Sequence, residues 1–156
     1  MRLSLRLLAG FLLVGGAFGA LGSEFLVSTG YSFPVSDGSL TATLVGIGLG
    51  IYLATLPILI YRIKTESKNS GTVKRPDPLL SFRLLVLARA VILTATGFLG
   101  WHLGQVLWLL TISVGPAGLV SQTVLGILSS VAMLVGGVLA EYNCRLPKDP
   151  DGEVAA

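Results

Sequence analysis

Within Leu85 to Gln105, LVLARAVILTATGFLGWHLGQ, an arginine stands near one end of an apolar run and the chain's single histidine near the other. An imidazole in such a place can take up and release protons near neutral pH, or it can pin helices together through hydrogen bonds. A guanidinium can serve a site, or it can anchor a helix end by snorkelling to lipid phosphates. Gln105 follows His102 by three residues and shares its helix face. Gln122, in the last apolar run, comes to a similar depth, so His102, Gln105 and Gln122 form a candidate intramembrane polar cluster, either helix glue or the lining of a small cavity. Counting depth in the same way, Arg89 and Glu141 fall at one level on consecutive antiparallel helices, a candidate ion pair at the inner interface.

Other chemistry is sparse. The sequence shows no phosphate-binding loop, no His/Cys metal spacing, no recognisable nucleophile and base pair and no carboxylate inside an apolar run, so neither an enzyme nor a cofactor or metal is expected. One cysteine, Cys144, allows no intramolecular disulfide and is expected as a solvent-side or interfacial thiol.

The elements that position these residues follow from charge spacing. The chain is 53% hydrophobic and only 12% charged, too apolar for an ordinary soluble domain. No Asp, Glu, Lys or Arg occurs in 7–23, 38–61 or 90–140. A helix needs about 20 apolar residues to cross a hydrocarbon core of about 30 Å, and the third gap is long enough to cross twice, turning at SVGPAG. Four spans result, about 7–22, 40–61, 84–112 and 119–140. The fold class is therefore all-α, with four transmembrane helices in a compact antiparallel bundle. The first run follows Arg2 and Arg6 and has features of a signal peptide, but its glycine content matches the other spans and it is read as a retained helix. Residues 1–145 form one membrane domain, with a cytoplasmic loop at 62–78 and a polar tail at 146–156. Asp77 followed by Pro78 is a helix start, so the third helix begins before the membrane and extends into the cytoplasm. Pro57 should kink the second. The stretch 23–39, with Phe25, Tyr31 and Phe33, is expected to lie against the bilayer surface.

All eleven Lys and Arg residues precede the first span, lie between the second span and the charge-free stretch that starts at Ala90, or follow the fourth span. The positive-inside rule then places both termini and the central loop in the cytoplasm. The sequence pI near 9.3 is thus a topological signal; contact of the basic loop with anionic lipid is expected, and nucleic acid is not.

Small residues repeat every fourth position: Gly15 and Gly19, Gly46 and Gly50, Gly100 and Gly104, and Ala132, Gly136 and Ala140. Such stripes let helix backbones approach closely. These glycines are the expected packing positions.

The segments RPDPLLSFRLLVLARAVILTATGFLGWHLGQ and AEYNCRLPKDPDG resemble a family of small actinobacterial membrane proteins of unknown function (domain of unknown function 3180). The resemblance is carried by Pro76, Pro78, Leu87, Ala88, Arg89, Ala90, Gly100, Trp101, Gly104, Glu141, Cys144, Arg145 and Pro147, and extends to the N-terminal half only in hydropathy. Arg89 stands where lysine is commoner, a change that keeps an anchor or ion pair but not a nucleophilic lysine. The resemblance implies a multi-pass protein of a Gram-positive-type plasma membrane and carries over no catalytic residue.

The function expected from these readings is a non-catalytic accessory or scaffold protein, acting through helix packing and a basic loop on the lipid bilayer and on a membrane-protein partner or a second copy. The alternative is a small transporter or channel component built around His102.

Overall fold

The computed structural model describes residues 4–66, 77–112 and 117–144. Arg2, Lys68, Lys74, Arg75, Arg145 and Lys148, the 113–116 turn and the 146–156 tail lie outside the described residues. Those described form α1 (Leu5–Ser28), α2 (Gly38–Glu66), α3 (Pro78–Thr111) and α4 (Ala117–Asn143), with no strand among them. Each helix is long and apolar enough to cross a membrane.

Helix boundaries follow local chemistry. α1 runs past the expected end at residue 22 because no breaker occurs before Gly30, which takes φ 84°. There the N–H groups of Gly30 and Tyr31 donate to the carbonyls of Val27 and Leu26, the paired bonds that close a helix through a left-handed glycine. Asp37 precedes α2 and accepts from the Gly38 N–H and the Ser39 hydroxyl. Asp77 caps α3 by accepting from the Leu79 N–H at 2.9 Å. At 34 residues, α3 extends about 51 Å, well beyond a hydrocarbon core of about 30 Å. Pro57 lies inside α2 and is exposed.

The helices pack as two parallel pairs. A Cβ at Gly15 would meet the Gly97 carbonyl and one at Gly19 the Trp101 carbonyl, while Cβ atoms at Gly100 and Gly104 would meet Leu12, Gly16 and Ala20 backbone. Numbers rise together along both chains, so α1 and α3 run in the same direction, backbone against backbone. Likewise Gly48 faces Met133 and Gly136, and Thr55 faces Asn143, making α2 parallel to α4. The larger antiparallel contact is between α3 and α4: Gly137 meets Val91 and Ile92, and Gly126 meets His102. α2 also touches α3, whereas α1 lies against α3 alone. The core is Leu44 and Ile51 of α2, Ala88, Val91 and Ala95 of α3, and Met133 and Ala140 of α4.

One pair of expected packing positions is corrected here. Gly46 and Gly50 have nothing within 4 Å of an added Cβ. The buried face of α2 is Leu44, Gly48, Ile51, Thr55 and Ile58, and two residues in a helix are about 200° of rotation, so Gly48 points inward and its neighbours outward. Spacing alone defines a face without saying which face turns in. The stretch 23–39 is part helix and part connection. Residues 23–28 belong to α1, and 33–36 are tied to α3.

Candidate functional site

At the end of the bundle where α1 stops and α2 starts, the chain between them is fastened to α3 by side chains one helical turn apart. Phe33 stacks on Trp108 with ring centroids 5.3 Å apart. Gln105 Nε2 donates to the Pro34 carbonyl at 2.6 Å. His102 Nε2 and Ser36 Oγ are 2.6 Å apart, and Trp108 Nε1 donates to Glu24 Oε2 at 2.6 Å, joining the end of α1 to the same helix. His102, Gln105 and Trp108 recur every three residues, so one face of α3 holds the whole connection.

His102 is fully buried. Its ring enters the space left by the missing side chain of Gly126, and its Nδ1 lies 3.1 Å from Ser130 Oγ. Ser130 donates its own proton to the Gly126 carbonyl at 2.8 Å, so its oxygen accepts from Nδ1–H. Nε2 is then the bare nitrogen and accepts from the Ser36 hydroxyl. The opposite tautomer would leave the Ser36 proton without an acceptor among the described residues, a cost that buried polar groups avoid. Gln105 is equally buried, and its Oε1 has no hydrogen-bond partner among the described residues.

Gln122 is not part of this hydrogen-bonded group. It is exposed and lines a groove of about 710 Å³ with Ser36, Asp37, Thr41, Val45 and Leu125. Depth along a helix follows from residue count, but the side a residue faces depends on packing, and Ser36 occupies the place beside His102 that a second amide was expected to fill. Neither Ser36 nor Ser130 carries a signal in the sequence. They lie 66 and 28 residues from His102, in a chain where serine is common.

At the other end, Arg89 Nε lies 3.5 Å from Glu141 Oε1, with the Glu141 side chain 9% exposed and that of Arg89 33%. Arg62 of α2 donates to the Tyr142 hydroxyl at 3.2 Å and sits 4.9 Å over its ring. Asn143 Nδ2 donates to Thr55 Oγ1 at 3.2 Å. The last turn of α4 is therefore clipped to both α2 and α3. Cys144 follows it and is buried rather than solvent-side, and burial pushes its thiol pKa up. Among the described residues no group of three metal-binding side chains occurs.

The chain matches a family model described as Protein of unknown function (DUF3180) over residues 8–148, and so belongs to that family. No curated protein and no solved structure matches it.

Proposed function

We propose that this family member is a non-catalytic membrane accessory or scaffold protein that recruits a partner helix through the outward face of α2. The observation that carries the reading is the stripe Gly38, Ala42, Gly46, Gly50 and Ala54. Every fourth residue is small, all five are exposed, and an added Cβ at Gly38, Gly46 or Gly50 meets nothing within 4 Å. Within the chain, stripes of this kind are filled by another helix backbone, as at Gly15 and Gly19 against α3. Lipid tails compete weakly for a flat backbone groove that a second helix fills well. The plasma-membrane setting, cytoplasmic termini and lipid contact of the basic loop complete the proposal, resting on the distribution of Lys and Arg.

A transport pathway around His102 is the less supported reading, because both ring nitrogens are hydrogen-bonded inside the bundle.

The test exploits the open space at the stripe. Gly46→Leu and Gly50→Leu should leave the isolated protein's melting unchanged and abolish crosslinking to neighbouring chains in native membranes. Gly10→Leu, also in open space, should change neither. Crosslinking that survives the double Gly46→Leu, Gly50→Leu substitution would sink the reading.

A further inference from the structure

The geometry points to Ser36 as an activated nucleophile that accepts an acyl group from a carboxylic ester entering the groove between α2 and α4. The sequence suggested no nucleophile and base pair; the fold makes one. Three observations support the assignment; the groove shares Gly38, Ala42 and Gly46 with the helix-recruiting face, so the reaction belongs to the chain before a partner helix covers that face.

The first is the bonding pattern of His102. A hydroxyl becomes nucleophilic when a base stands ready to take its proton and a third group holds that base in the correct tautomer. Ser130, with its own proton committed to the Gly126 carbonyl, holds Nδ1–H, and Nε2 meets the Ser36 hydroxyl at 2.6 Å. The second is access, which is narrow. Ser36 is 9% exposed and lies at the wall of a groove of about 710 Å³, within the usual range of small-molecule sites, about 300–1,000 Å³. The third is the groove's chemistry. Val35, Ala42, Val45 and Leu125 give it apolar walls, while Gln122 and Thr41 bring polar groups to it. That suits an apolar acyl chain with an ester head.

In the transfer, Ser36 Oγ attacks the ester carbonyl carbon and its proton passes to His102 Nε2. A bond forms between Oγ and the acyl carbon, the bond from that carbon to the alkoxy oxygen breaks, and the imidazolium returns the proton to the leaving alkoxide. The products are an acyl-serine and an alcohol. The reaction stops there. His102 is wholly buried, so bulk water does not reach Nε2 to be activated for hydrolysis of the acyl-serine. The site is thus one of stoichiometric modification.

The full-length protein in detergent micelles is treated with a biotinylated fluorophosphonate and, separately, with p-nitrophenyl decanoate. Peptide mass analysis should find one label, on Ser36, and Ser36→Ala should abolish it. His102→Asn should slow labelling on the order of 100-fold, at the lower edge of general-base contributions, and Ser130→Ala should slow it less. Absence of label on a protein with native helix content, or labelling undiminished by His102→Asn, would overturn the proposal. A second measurement stands if His102→Asn unfolds the chain. In a Cys144→Ser background, Ser36→Cys should react with iodoacetamide faster than a free thiol at the same pH, and an equal or slower rate also overturns it.

Discussion

At the scale of single residues, buried Ser23, Thr96 and Thr123 bond carbonyls of their own helices, whereas His102, Gln105 and Asn143 reach partners on other segments, and that second kind of matching is what the sequence conceals. Arg89 and Glu141 could be paired by counting depth, because antiparallel neighbours set register once the turn between them is located. Ser36 and His102 could not, since the connection before α2 carries no helical period to count along. The ion pair invites a direct measurement. Removing one partner of a buried pair costs about 3 to 5 kcal/mol. Arg89 is a third exposed, so Arg89→Met should destabilise by less, about 1 to 3 kcal/mol. The double substitution Arg89→Met, Glu141→Gln should cost less than the sum of the two single changes, because it leaves no stranded charge. Denaturant unfolding in mixed micelles reads both numbers, and additive losses would mean that the two groups do not stabilise each other.

At the scale of elements, the contact of α1 with α3 depends on missing side chains. Gly15, Gly19, Gly100 and Gly104 each place a would-be Cβ against main-chain atoms of the other helix, and backbone cannot move aside as a flexible side chain can. Gly100→Leu should therefore cost about 3 kcal/mol or more, at or above the usual range for overpacking, and should release α1 while the α2, α3 and α4 core keeps its melting transition. Limited proteolysis that cuts after α1 in the variant and not in the parent protein would register the release; an unchanged digest would count against it. The four helices were legible because gaps in charge fix where a chain can cross a bilayer, and Asp77 with Pro78 marked the start of α3 through capping chemistry. The inward face of α2 was not legible. Gly46, Gly48 and Gly50 offer two equivalent small-residue faces, and only the partner helix selects Gly48. The end of α1 was missed for a related reason: Glu24 looks like a loop residue until Trp108 supplies its hydrogen bond.

At the scale of the whole molecule, the basic residues at Arg62 and Lys64 and in the following segment predict an orientation that one experiment decides. In a Cys144→Ser background, a membrane-impermeant maleimide should label Tyr31→Cys in intact cells and spare Ser70→Cys; Tyr31 is 70% exposed. The reverse pattern would invert the molecule. The parallel pairing of α1 with α3 has a further consequence, one of timing. The surface that receives Gly15 and Gly19 lies about 80 residues further along the chain, so at ordinary synthesis rates α1 waits roughly 4 to 16 s before its partner leaves the ribosome. α2 arrives sooner but shares no surface with α1. Throughout that interval a glycine-lined helix stands alone in the bilayer, open to capture by the α3 of a chain already finished. Exchange of α1 between molecules is then settled during translation, and co-expression of two tagged versions, rather than mixing of purified ones, is where it would be found.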